Sequence, residues 1–218
     1  MGGACYPYAI ESYEVPPERL GRWLERWAER HGPVTRTELR AERVTFVGEG
    51  GTVECDPPFP PLTGRGEREG FDPGPLLEHV ARERVVGVIL VRLGGHAAGV
   101  FAGRRLVDSK VGSRNVHGRH RAGGSSQKRF ERRRGEQARM ALDQAADTAA
   151  RVLLPHRRDL EALVLGGDKA ALREVMGDAR LRPLRALIAE PVLEVPEPRL
   201  KVLEATPERF LATRLTVR

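Results

Sequence analysis

Nine consecutive residues constrain this chain more than any others: Val85–Leu93, VVGVILVRL. A β-branched run of this kind reads as a strand, and it is far too short for the roughly 20 apolar residues of a membrane-spanning helix. It turns at Gly94-Gly95 into His96–Phe101, and a second turn at Ala102-Gly103 leads into Arg104–Val107. Three runs joined by such short turns predict an antiparallel meander.

The pattern on either side predicts helices. Pro16-Pro17-Glu18 opens an amphipathic stretch with Leu20, Trp23, Leu24 and Trp27 at helical spacing, and Gly32-Pro33 ends it. The two tryptophans read as core anchors. Val44–Val47 and Thr52–Cys55 read as short strands joined by Glu49-Gly50-Gly51, and Leu76–Arg82 as a short helix. The Pro- and Gly-rich stretch 56–75 between them reads as an irregular loop. After the meander, a helix is expected from about Ser126 to Leu154, with Phe130, Ala138, Ala141, Leu142, Ala145, Ala146, Ala149, Val152 and Leu153 largely on one stripe and Pro155 at its end. Its charged first turns lack that stripe, so they are expected to project beyond the body. Leu160–Leu165 reads as a strand, Asp168 as the N-cap of a helix to Met176, Leu184–Ile188 as helix, and Leu200–Glu204 with Phe210–Val217 as a closing hairpin. The expected whole is one α/β domain, 1–218, with a mixed sheet and flanking helices.

Charge is distributed unevenly. The chain carries 37 basic and 30 acidic residues, a formal net charge of +7. The segment Arg114–Arg134 holds Arg114, Arg119, Arg121, Lys128, Arg129, Arg132, Arg133 and Arg134 against the single acid Glu131. The remainder is 29 basic against 29 acidic, so the whole excess sits in this one stretch. Such concentration is the footprint of a polyanionic partner. The plain alternative is a solvated basic face.

Within it, GRHRAGGSSQKRFERRRGEQ (Gly118–Gln137) combines four features. Gly123-Gly124 lets the backbone take positive φ and approach another backbone closely. Ser125 and Ser126 are N-cap residues where the helix should begin. Gln127 stands at the loop–helix junction, with basic residues on both sides. A helix N-terminus so flanked suits phosphates. A glutamine amide does not titrate, so it is no general base; it donates and accepts hydrogen bonds together, which suits orienting a water or stabilising developing negative charge.

Gly124-Ser125-Ser126-Gln127 inside this basic loop resembles the GxxQ loop of the Vms-type release-factor family, and RHRAGGSSQKRFERRRGEQA resembles its actinobacterial peptidyl-tRNA hydrolase branch. That family is similar to the middle domain of the eukaryotic and archaeal class-one release factor, whose Gly-Gly-Gln loop enters the peptidyl transferase centre. The resemblance implies a ribonuclease H-like fold, a mobile catalytic loop over 112–127, and release of nascent chains from peptidyl-tRNA on stalled large ribosomal subunits. By motif match Gln127 takes the role of the release-factor glutamine and Gly124 that of a loop glycine, with Gly123, Ser125 and Ser126 completing the loop. Ser125 and Ser126 stand between glycine and glutamine, a departure from the release factors. No codon-reading domain is visible, so rescue fits better than stop-codon termination.

Other chemistry is poorly supported. Cys5 and Cys55 make neither a disulfide framework nor a zinc site, which gives a reducing, cytoplasmic home as the default. The N-terminus lacks the basic and apolar regions of a secretory signal. His117 and His120 flank the loop without a carboxylate or cysteine cluster, so RNA contact or exposure is expected rather than metal ligation. Gly166-Gly167-Asp168 lacks the remaining glycines and the lysine–hydroxyl pair of a P-loop and reads as a structural turn. Asp72, Asp108, Asp143 and Asp147 are the carboxylates a ribonuclease H-like nuclease would need, but their spacing carries no signal. No cofactor, no metal and a monomer are expected. Cleavage of tRNA near its acceptor end, and a non-catalytic rRNA-binding module, remain the alternatives.

Overall fold

A computed structural model of the chain describes residues 10–92, 94–113 and 126–218, with side chains from residue 135 onward in the last span. It has two compact units, Met1–Arg82 with Glu208–Arg218, and Glu83–Pro207.

The first unit is built on a six-stranded antiparallel sheet. Its elements are β1 (Glu11–Val15), α1 (Pro17–His31), β2 (Val34–Leu39), β3 (Val44–Gly48), β4 (Gly51–Asp56), β5 (Gly66–Glu69) and α2 (Gly74–Ala81). Proline at the start of α1 is tolerated because the first N–H groups have no intrahelical partner, and Gly32 at φ 81° stops the helix. Leu20, Leu24 and Trp27 are buried against Val44, Phe46, Val53, Cys55 and Leu76. Trp27 is thus a core anchor; Trp23 is half-buried and meets Tyr13 at a tilt of 56° with ring centroids 5.5 Å apart.

The second unit holds the meander: β6 (Val85–Arg92), β7 (Gly95–Ala102) and β8 (Arg105–Ser113). It continues through α3 (Ser126–Leu153), β9 (Ala162–Gly167), α4 (Lys169–Gly177), a 3-10 segment Ala179–Leu187, β10 (Ile188–Leu193) and α5 (Leu200–Glu204). The strand order is β10-β9-β6-β7-β8, with β10, β9 and β6 parallel and the other pairs antiparallel. β6 occupies the centre, which is where a β-branched run finds neighbours on both sides. Asp168 caps α4, accepting from the N–H groups of Ala170 and Ala171 at 2.8 Å each. Gly167 sits at φ 109°, and a Cβ there would lie 2.1 Å from the carbonyl oxygen of Val91. The glycine pair therefore serves close packing of the turn.

The last elements are α6 (Pro207–Phe210) and β11 (Thr213–Val217), and β11 pairs with β1 and β4 in the first unit's sheet. No closing hairpin forms: Leu200–Glu204 is helical, with Leu203 buried against Gly99. The single mixed sheet expected from sequence is likewise replaced by two sheets, and the two apolar cores share no residue. Four strands escape the sequence pattern. β1 is exposed along most of its length, and β2 carries the exposed Thr35 and Arg36. β5, with the sequence GERE inside the presumed 56–75 loop, has no apolar residue and is held by its ladder to β2. β10, whose start was read as helix, contains Pro191 and lies at a sheet edge, the place where a missing N–H is tolerated.

Candidate functional site

The site begins where β8 ends. Ser113 is the last described residue of that strand, and α3 starts at Ser126. Gly123, Gly124, Ser125, Arg114, Arg119 and Arg121 lie outside the described residues, as do His117 and His120. So does most of the expected catalytic loop 112–127: Gly112 and Ser113 belong to β8, Ser126 and Gln127 to the helix. The structure places Ser126, Gln127, Lys128, Arg129, Arg132, Arg133 and Arg134 in the first turns of α3.

The first turn of α3 has no acidic residue. Aligned peptide dipoles leave partial positive charge at a helix N-terminus, and Lys128 and Arg129 add to it. The sequence is thus locally unfavourable for a helix end in water and favourable for one that meets an anion. This contrasts with α4, where Asp168 satisfies the same backbone donors internally.

Further along α3 the environment changes. Residues 135–140 are all exposed, and Met140 is 49% exposed. Burial begins at Ala145 and continues through Ala146, Thr148, Ala149, Ala150, Val152 and Leu153. These small side chains let the helix lie close on Ala98 and Val100 of β7, and Leu153 reaches Gly87 in β6. At 1.5 Å per residue, Gln127 stands about 27 Å along the axis from Ala145. Along α3 the described side chains thus pass from exposed, over 135–140, to packed from Ala145 onward.

Polar contacts pin the packed half. His96 on β7 and Thr148 on α3 share a hydrogen bond, Nε2 to Oγ1 3.1 Å, and both are buried. Burial holds the His96 imidazole below its ordinary range, and the Lys110 charge acts the same way. Arg180 reaches Asp147 at 2.7 Å and also Asp178, whose carboxyl it pulls down to about 2. Sequence reading placed His96 in a strand and passed over Thr148, because a histidine after a glycine turn and a threonine in an alanine run carry no signal until the elements meet.

The carboxylates considered for a nuclease are dispersed. Asp72 belongs to the first unit, where Arg68 and the N–H of Gly74 bond to it. Asp108 lies 3.6 Å from His156, Asp147 pairs with Arg180, and Asp143 is exposed. Among the described residues no three His, Cys, Asp or Glu side chains group in a way that could hold a metal ion. Cys55 is buried, which pushes its thiol far up and leaves it unreactive. No helix among the described residues is long and apolar enough to cross a membrane.

The chain belongs to the family described as the Actinobacteria/chloroflexi VLRF1 release factor, whose model matches residues 84–216, more than half of its length. A release-factor family implies translation termination or ribosome rescue. Among curated proteins it is similar to peptide chain release factor subunit 1 of Methanopyrus kandleri, 32% identical over 93 residues, covering 43% of this chain and 22% of that protein. The same factor of Thermococcus onnurineus is 31% identical over 114 residues, covering 51% and 28%. The chain thus spans roughly a quarter of the length of these relatives. Among solved structures it aligns with the archaeal translation termination factor aRF1 at 15% identity, covering 90% of this chain and 73% of that one, with a TM-score of 0.43.

Proposed function

We propose that this protein is a peptidyl-tRNA hydrolase that releases nascent chains from stalled large ribosomal subunits. One observation carries the reading: the chain's entire excess of positive charge, Arg114–Arg134, surrounds Gln127 at the start of a helix whose first turns lie away from its packed half. Membership in a release-factor family supports it. Arg114, Arg119, Arg121, Lys128, Arg129, Arg132, Arg133 and Arg134 hold rRNA and tRNA phosphates without reading sequence. Gly123, Gly124, Ser125 and Ser126 shape the backbone that presents Gln127. The Gln127 amide then orients a water toward the ester between peptide and tRNA and donates to the developing oxyanion. The water oxygen bonds to the ester carbonyl carbon as its proton passes to groups supplied by the ribosome and tRNA, the bond from that carbon to the tRNA 3′ oxygen breaks, and the 3′ oxygen takes up a proton from the same groups to leave as a hydroxyl. On this reading the second unit is of ribonuclease H-like type, the protein works in the cytoplasm as a monomer, and it needs no cofactor.

The test is incubation with purified large subunits carrying peptidyl-tRNA, followed by analysis of both products. Hydrolysis gives a complete CCA end that can be charged again and a peptide free of nucleotides. A tRNA shortened at its acceptor end, with nucleotides still on the peptide, overturns hydrolysis in favour of a nuclease. Intact peptidyl-tRNA bound beside the protein would mark a non-catalytic module.

A further inference from the structure

Three elements meet at the root of the basic segment, and His96 lies between them. It is paired in register with Gly112, one residue before the end of β8, and so stands at the strand end from which the basic segment departs. A Cβ on Gly112 would lie 2.3 Å from His96 Nε2, so the strand leaves room for the ring only because glycine is there. The same nitrogen bonds Thr148 Oγ1 at 3.1 Å, with His96 9% and Thr148 5% exposed. Around this contact the interface between α3 and β7 is largely alanine and valine, whose burial is favourable but carries no bond direction. A buried hydrogen bond does carry a direction, and breaking it strands a polar atom.

The geometry makes that direction matter. Gln127 is about 32 Å along the axis from Thr148. A tilt of about 10° at Thr148 therefore moves the helix start by roughly 5–6 Å, whereas a misplacement of about 1 Å in a reacting group can cost 100-fold in rate. We propose that His96, seated against Gly112 and bonded to Thr148, is a positioning residue for release, fixing the direction of α3 and so the place of Gln127. The proposal rests on the reading of Gln127 as the reacting end of the helix.

The charged groups near the contact leave His96 to act as a neutral group. Lys110 on β8 is the cation whose charge reaches it. Asp147 on α3 is engaged by Arg180, and Arg92 on β6 donates to the carbonyl of Val195. Because burial lowers the folded-state value below the ordinary 6.5, the stability that goes with neutral His96 is complete above about pH 6.5 and is lost as pH falls through the lowered folded value.

The experiment uses Thr148→Val, which keeps the shape and removes the hydroxyl, and Thr148→Ser, which keeps the hydroxyl. Spin labels on Gln137→Cys and Arg105→Cys, both exposed, in a Cys5→Ser background report the direction of α3 without any reaction. The expected result is a cooperative melt for both variants, large-subunit affinity within twofold of wild type, and single-turnover release reduced at least tenfold by Thr148→Val. Thr148→Ser releases at near the wild-type rate. The label distance distribution broadens in Thr148→Val and stays narrow in Thr148→Ser. Wild-type release and a narrow distribution in folded Thr148→Val would overturn the proposal, and so would a loss in Thr148→Ser equal to that in Thr148→Val. Should Thr148→Val not fold, Thr148→Ala takes its place, judged by the same release rate and label distances. Should the wild-type protein itself release nothing, the function reading fails, and the label distances alone decide whether the contact directs the helix.

Discussion

The two halves of α3 obey opposite rules. From Ala145 to Leu153 the helix is an alanine and leucine stripe pressed on β7 and β6, with its few polar groups paired. From Ser126 to Met140 it carries most of the chain's excess charge and begins with a basic first turn, and its described side chains, 135–140, are exposed. A continuous helix with one anchored and one charged half is a way to deliver a group about 30 Å from its support. The difference teaches that stability and function are separable along one element: substitutions of the apolar residues in the packed half act through folding, Thr148 acts through the direction of the helix, and substitutions in the charged half act through the partner.

That separation can be broken experimentally. The largest expected effect is in the packed half. Leu153→Ala, at a fully buried position, is expected to cost about 2–5 kcal/mol of unfolding free energy, against about 0.5 kcal/mol or less for Met140→Ala. Chemical denaturation measures both, and equal effects would erase the distinction. Next, Arg132→Ala with Arg133→Ala is expected to leave the melting temperature nearly unchanged. It should reduce the slope of log RNA affinity against log salt by about two. A salt-insensitive affinity, or an unchanged slope, would remove the phosphate-holding role.

A smaller effect concerns the pins. Asp147→Ala removes the pair between α3 and Arg180, whose partners are half or more exposed, and is expected to cost no more than about 1 kcal/mol. The smallest effect is in acid. Asp178 is held down to about 2 by Arg180, below its ordinary 3.8. The stability from this pair is therefore complete above about pH 4 and fades only as pH falls toward 2. An Asp178→Asn variant should be slightly less stable than wild type at pH 7, where the pair is fully formed, and the difference should shrink as pH falls from about 4 toward 2.

What was legible in the sequence follows the same physics. The meander, α1, α3, β9 and the Asp168 cap were readable because burial imposes a period on apolar residues and termini demand particular residues. β5 and β10 were not, because GERE and IAEPVL are strands only by virtue of the ladder beside them. The division into two sheets was hidden for a related reason: β11 belongs with β4 and β1, a pairing across nearly the whole chain. The proposed site, Gln127 and its basic neighbours, rests on local composition that the sequence displays directly. His96, Gly112 and Thr148 were not legible, since their meaning lies in three elements converging. The two glycine pairs make the point directly: Gly123-Gly124 and Gly166-Gly167 look alike in sequence, and the second is explained by the carbonyl of Val91.

The central claim is that the charged half of α3 delivers Gln127 to an ester it does not itself bind. The measurement is single-turnover release from large subunits carrying peptidyl-tRNA, with subunit affinity determined on the same preparations, for wild type and Gln127→Ala. The account predicts affinity within about twofold, since Gln127 bears no charge, and release slower by about 100-fold to 1,000-fold, the usual loss when one oriented donor is removed. Release by Gln127→Ala at the wild-type rate would contradict it.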